Sequence, residues 1–379
     1  MPASWGGPPK NSTTAGLFSG RRPFCPWSPA RRSFRGPADS SILACACRLR
    51  TPTTRWGFAY LHRVTKAPRH LERAIHFLEV LEATRCAGFQ HHAWGYPFDW
   101  QTRNGILPRG TPLITTTPYC YEAFEAVYQI DRNPRWRAIM QSIAEHVYQD
   151  YQDFETGPDS ATCTYTPTGG EKVVNASAYR AFTLFSAWRE FGDERYRVAA
   201  KRNLNFVLQS QQSDGSWPYA VDGARPFVDH FHTCFVMKAL AKIEALTGHE
   251  KCKQALTRGV AFYIENLFDR DGLPRPFARA PRLVIYRREL YDCAECINLG
   301  VLLRGRFPLL DAAVDRTVSE MTRNWQLSGG HFRSRKLILG WDNVPMHRWG
   351  QSEVFRSLAL FCDRAGYNET KNVNPDSST

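Results

Sequence analysis

No run in the 379-residue chain approaches the roughly 18 consecutive apolar residues that a membrane helix needs, so a span is excluded and the body is expected to be soluble. The glycine pair Gly169-Gly170 is not followed by Gly-Lys-Ser/Thr, which excludes a phosphate-cradling loop. The 11 cysteines are an odd number without framework spacing; they are expected to be reduced thiols in the cytoplasm. Cys293 and Cys296 share a helix face but lack two further ligands in register, so they read as packed thiols and no metal or cofactor is expected. A basic stripe on the folded body is also missing. The net charge is +13, but residues 1–50 hold eight Lys/Arg and one acid, or +7, which leaves only +6 for the remainder. Nucleic-acid binding is therefore not expected, while a mildly basic body suits an anionic small molecule.

What is present falls into two parts. Residues 1–55 are rich in Pro, Gly, Ser and Arg and show no helical or strand period, so they are expected to form a disordered basic tail. The segment superficially resembles an organelle transit peptide, and Arg21-Arg22 invites a twin-arginine reading, but no apolar stretch follows it. Residues 366–379 are expected to be a second disordered tail.

Between the tails, over 56–365, one unit recurs: helix, tight turn, helix, then a long loop rich in glycine and aromatics. The turns fall at 131–136, 191–196, 246–252 and 304–310, with Asn133, Asp193, His249 and Phe307 at corresponding points, 60, 56 and 58 residues apart. Helices are expected near 117–130, 175–190, 231–246, 290–304 and 347–362 before the turns, and near 135–150, 194–210, 249–267 and 308–325 after them. An earlier equivalent lies at 69–84, and 56–66 supplies a weaker sixth start. Phe235, Val236, Ala239, Leu240, Ile243 and Leu246 follow the helical period. The long loops all follow the same helix of their hairpins, so closure into a ring gathers them on one face. The expected fold is all-α: an (α/α) toroid of about five to six hairpins, with short β-hairpins or irregular loops on one side.

The stretch "FVLQSQQSDGSW" at 206–217 resembles the QW repeat of terpenoid cyclases and protein prenyltransferase β subunits. In that motif Gln211 caps a helix, Gly215 turns the chain and Trp217 stacks back on an outer helix. The ring it implies is similar to that of six-hairpin glycosidases, uronate epimerases and helical-toroid polysaccharide lyases. The acid motifs diagnostic of the cyclases, Asp-x-Asp-Asp and Asp-Asp-x-x-Asp, are absent. The Asp-x-Cys zinc pair with a later histidine is matched only irregularly by Asp292, Cys293 and His347.

Four segments carry candidate chemistry. "HHAWGYPFDWQTR" (91–103) offers Trp94, Tyr96 and Trp100 as sugar-stacking platforms with Asp99 and Arg103 beside them. "DGSWPYAVDGARPFVDHFHTC" (214–234) offers Trp217 and places Asp229 and His232 just before a helix, a carboxylate–imidazole combination suited to acid/base work. Asp229 reads equally as an N-cap. "IYRRELYDCAEC" (285–296) places Tyr291 and Asp292 at a helix start. "GWDNVPMHRWGQSE" (340–353) combines Trp341, Asp342, His347, Arg348 and Trp349.

Asp99, His232, Asp292 and His347 are the expected catalytic groups, and the remaining named residues the expected substrate contacts. The leading expectation is an oligosaccharide, including an acidic one, bound in a central aromatic cup for hydrolysis, elimination or epimerisation. An isoprenoid enzyme and a catalytically silent binding toroid are the alternatives. The sequence leaves the oligomeric state open.

Overall fold

A computed structural model describes residues 52–102, 105–170 and 172–364, excepting the side chains of residues 52–56, 347 and 348. Among the described residues, eleven α-helices alternate between two concentric layers. The inner layer holds α1 (Pro52–Thr65), α3 (Thr117–Asp131), α5 (Val174–Phe191), α7 (His230–Thr247), α9 (Leu290–Leu302) and α11 (Ser352–Arg364). The outer layer holds α2 (Pro68–Ala83), α4 (Pro134–Gln149), α6 (Glu194–Gln209), α8 (Glu250–Asn266) and α10 (Pro308–Glu320). Each outer helix packs on the inner helix before it, and the inner helices contact one another in sequence until α11 returns to α1. The ring is closed. Its first helix begins at Pro52, inside the span expected to be irregular; the rest of the two expected tails lies outside the described residues.

The layers follow from composition. Every residue of α5 from Val174 to Ala187 is buried, as expected of a helix enclosed on all sides. In α4 the buried set Trp136, Ile139, Met140, Ile143 and Val147 forms one stripe, so the other face meets solvent. The four periodic turn residues are the N-caps of the outer helices. Asn133 and Asp193 accept the backbone N–H of Arg135 and Arg195 at 3.0 and 2.9 Å, satisfying donors that a helix start leaves free.

Closure is made by side chains as well as backbone. The Phe58 and Phe355 rings lie 4.9 Å apart, Arg63 pairs with Asp363 at 3.3 Å, and a Cβ on Gly57 would meet the Phe355 ring at 2.3 Å.

The long loops carry small antiparallel ribbons: β1 (Trp100–Thr102) with β2 (Gly105–Leu107), β3 (Asp153–Gly157) with β4 (Ser160–Cys163), and β5 (Val228–Asp229) with β6 (Phe277–Arg279). A three-stranded sheet orders β7 (Tyr286–Glu289), β8 (Arg335–Leu337) and β9 (Trp341–Asp342). The pairs β5–β6 and β7–β8 join loops of successive hairpins, which ties the rim together. No described helix is long and apolar enough to cross a membrane.

The QW-like motif does its local work. Gln211 Nε2 donates to the Gly215 and Ala255 carbonyls at 3.0 and 2.9 Å. Trp217 is buried and its indole N–H donates to the Val207 carbonyl at 3.0 Å. Gly259 of α8 gives the ring room, since a Cβ there would lie 2.6 Å from it. Trp217, expected as a substrate contact, packs α6 to α8.

Candidate active site

The N-terminal ends of the inner helices open into the loop face, and aromatic side chains from separate loops meet there. Tyr96 lies 5.2 Å from Trp100 and 6.0 Å from Trp349, both edge-on; the first loop thus touches the last. Trp100 reaches Tyr165 of the next loop at 6.5 Å. Burial, then the neighbouring phenols of Tyr219 and Tyr96, hold the Tyr165 phenol well above its ordinary range, so three loops converge on one spot. Tyr219 in turn sits 4.6 Å from the His232 ring.

His232 occupies the first turn of α7. Its Nδ1 lies 2.7 Å from Asp229 Oδ2, and its backbone N–H donates to Asp229 Oδ1 at 3.1 Å. Asp229 is both the cap of α7 and the orienting partner of the imidazole. Its side chain is 3% exposed and that of His232 is 20% exposed. A carboxylate can only accept from Nδ1, so the proton sits on Nδ1 and the Nε2 lone pair is left outward. Nε2 makes no hydrogen bond among the described residues. Phe231 flanks the ring at 4.3 Å and continues to Tyr291 at 5.2 Å.

The neighbouring histidine differs. His230 is buried, its Nδ1 faces the Arg275 carbonyl at 3.1 Å and its Nε2 faces the Tyr263 hydroxyl at 2.7 Å. Burial pushes it down to about 4. It is a neutral core histidine.

Beneath the aromatic rim the ring is polar. Tyr119 and Tyr179 share a hydrogen bond of 2.6 Å. Arg356 of α11 pairs with Glu295 of α9 at 3.1 Å and with Glu353 at 2.8 Å, and Lys238 of α7 pairs with Glu295. Burial opposes the charge on Glu295, but Lys238 and Arg356 hold it below the ordinary glutamate range. Burial raises Glu353 to about 7. None of Lys238, Glu295 and Arg356 was singled out in the sequence. The available signal was a charge inside an otherwise apolar helix, as in "CFVMKALA" and "DCAECINLGVLL", because such a charge must find a partner.

The expected site residues separate into groups. Tyr96, Trp100, Asp229, His232, Tyr291 and Trp349 belong to the connected rim described above. Asp292 lies below it, 1% exposed, with no hydrogen-bond partner for either carboxyl oxygen among the described residues. Burial, then Glu289 and Asp229, push it far above the ordinary range, a shift that favours its protonated form. Glu289 is paired with Arg335 at 2.8 Å.

Asp99 is an exposed loop residue that accepts the Arg109 N–H at 2.7 Å, and no hydrogen bond or ion pair joins it to His232 among the described residues. Trp94 is core: buried, it donates to the Leu81 carbonyl at 2.9 Å. Trp341 packs edge-on against Trp325 at 5.0 Å, with Lys336 over it at 4.3 Å, and Asp342 accepts the Val344 N–H at 3.1 Å. Trp94 and Trp341 thus make packing contacts within the fold, and Asp99 and Asp342 accept loop N–H groups. Arg103 and the side chains of His347 and Arg348 lie outside the described residues. Cys293 and Cys296 are buried free thiols, and no group of three metal-ligating side chains occurs among the described residues.

Glu125 of α3 gives a pH signature. Burial, then Glu122, raise it to about 7, while Ser186 donates to it at 3.0 Å. A carboxyl whose folded value is raised stabilises the fold at low pH, and that stabilisation is lost as pH climbs from the unfolded value of about 4.3 through the folded one. The variant Glu125→Gln keeps the acceptor for Ser186 without the charge. Denaturant melts across this window should show the parent losing on the order of 3 kcal/mol more than the variant, with the variant the more stable above neutrality.

No family model matches the sequence, and no curated protein matches it either. Solved structures do match in fold. The cellobiose 2-epimerase of Bacillus thermoamylovorans is similar at TM-score 0.63 and 12% identity, over 84% of this chain and 87% of that one. The cellobiose 2-epimerase of Spirochaeta thermophila is similar at TM-score 0.63 and 14% identity, over 84% and 86%. A glycosyl hydrolase family 88 structure from Bacteroides vulgatus is similar at TM-score 0.56 and 11% identity, over 86% and 95%. The closed (α/α) toroid is the fold this chain shares with these structures.

Proposed function

We propose that the rim and cup bind an oligosaccharide and that His232, oriented by Asp229, moves a proton at a carbon of the bound sugar, as epimerisation or elimination requires. The observation that carries this reading is the 2.7 Å Nδ1–Asp229 contact, which leaves Nε2 turned to an aromatic rim. Aromatic faces stack on sugar rings, and an imidazole with one nitrogen fixed is a general base at neutral pH. Tyr291 and His347 are the proposed partner acids.

Two-carboxylate hydrolysis is less well supported. It needs a pair of carboxyls flanking the bond, and here Asp229 holds His232, Glu289 holds Arg335, and Asp99 and Asp342 shape loops. The charged floor of Lys238, Glu295, Glu353 and Arg356 speaks against an isoprenoid, which wants an apolar cavity to its base. Cys86, Cys163, Cys234, Cys252, Cys293, Cys296 and Cys362 are free thiols, which supports a reducing compartment such as the cytoplasm.

The test uses heavy water. The protein is incubated with cellobiose and with uronate-containing oligosaccharides, and NMR follows deuterium entry at the carbon beside the sugar carbonyl or carboxylate. Exchange with epimer or unsaturated product is expected from one class. Folded protein that exchanges no carbon-bound hydrogen in any of them sinks the proton-transfer reading.

A further inference from the structure

We infer that the hairpin flap beside the cup docks on an anionic lipid surface. Two loops, 279–288 and 333–344, come together where β7 pairs with β8 and the Ile338 N–H donates to the Ile285 carbonyl at 3.2 Å. Leu283 and Leu339 are each 88% exposed, and Ile285, Ile338 and Val344 are exposed beside them. Half of the large exposed apolar side chains of the described protein thus stand on one small sheet, whereas apolar residues on an ordinary surface are scattered singly.

The charge around these tips is predominantly basic. Residues 279–288 hold Arg279, Arg282, Arg287 and Arg288 with no acid, and residues 333–344 hold Arg333, Arg335 and Lys336 with one acid, Asp342. Arg279, Arg288 and Arg335 are spent on ion pairs within the fold, but Arg282 and Arg287 are exposed. Apolar tips among cations are the pattern of a segment that rests in the headgroup region, where acyl chains take the leucines and acidic lipids take the arginines.

The other occupants fit worse. Self-association through this patch would set like charges face to face, and the N-terminal residues 1–50 carry +7 (eight basic residues less one acid) and are repelled. Nucleic acid would match the arginines and leave the leucines in water. The sheet feeds directly into α9 through Glu289–Leu290, so docking would bring the cup's rim to the membrane surface.

The full chain is sedimented with vesicles of phosphatidylcholine alone and of phosphatidylcholine mixed with phosphatidylserine. The parent is expected to pellet with the mixed vesicles only. Arg282→Gln with Arg287→Gln should weaken that binding about thirtyfold, and Leu283→Asp with Leu339→Asp at least about tenfold. All four side chains are exposed, and unchanged thermal melts confirm folding. Three results overturn the inference: a parent that stays in solution with acidic vesicles; pelleting that both pairs leave unchanged, which assigns it to the tail; or a parent dimer in gel filtration that the leucine pair splits.

Discussion

Replacing His232 with glutamine is expected to lower proton-transfer turnover by about 10²- to 10⁴-fold, with the apparent affinity for the sugar little changed. Glutamine retains polarity and approximate length but has no titratable nitrogen, so the stacking walls of Tyr219 and Phe231 remain in place while the base is gone. Asp229→Asn makes the sharper comparison. Its Oδ1 still caps α7, as the carboxylate does now at 3.1 Å, so stability should stay near that of the parent. The amide facing Nδ1 becomes a donor when oriented that way, which favours the opposite imidazole tautomer and turns Nε2 from acceptor to donor. The expected result is a fall in turnover approaching that of the His232 variant, at nearly parental melting temperature. Asp229→Ala removes cap and partner together and should lose about 1 kcal/mol as well. Parental turnover in Asp229→Asn would falsify the positioning role and leave Asp229 as an N-cap alone.

Arg356→Met should be among the most destabilising single substitutions in the ring. The guanidinium stands between Glu295 and Glu353, at 3.1 and 2.8 Å, in a setting where neither carboxyl meets bulk water. Methionine fills similar volume but leaves two buried acids to share Lys238. Breaking one partner of a buried network costs about 3–5 kcal/mol, roughly 10 °C in melting temperature for a chain of this size. The combined replacement of Lys238, Glu295, Glu353 and Arg356 by apolar residues of similar volume should recover most of that loss, since desolvating the charges offsets their attraction. It should also abolish sugar binding, because the floor of the cup becomes apolar. A single variant that melts like the parent would show that water reaches the network.

The ring was legible in the sequence because its signal repeats. Asn133, Asp193, His249 and Phe307 were picked out by spacing alone and are the N-caps of four outer helices, and most expected helix ends fall within two residues of the observed ones. The π-type turns Met321–Trp325 and His347–Gln351 read in the sequence as parts of the neighbouring helices, since no Pro interrupts either segment.

Loop side chains were harder to place. Trp94, Trp217 and Trp341 share their composition with Tyr96, Trp100 and Trp349, yet the first three point inward to carbonyls or to other rings. Composition tells which residues stand in a loop; the direction of an indole is decided by which neighbouring helix leaves room for it, as Gly259 does for Trp217. The charged floor escaped for a related reason. Lys238, Glu295 and Arg356 come from three helices, and no local pattern links residues 57 and 61 positions apart.

The weld between Gly57 and Phe355, with Arg63 and Asp363 beside it, bears on how the molecule is made. Hairpins are local and can form as they leave the ribosome, but the opening helix has no permanent neighbour on one flank until the last helix is synthesised. Emerging chains must wait, with an apolar flank uncovered, for some three hundred residues. Non-local pairing of that kind is slow and exposes the chain to aggregation, so removing the final helix should injure folding out of proportion to its length.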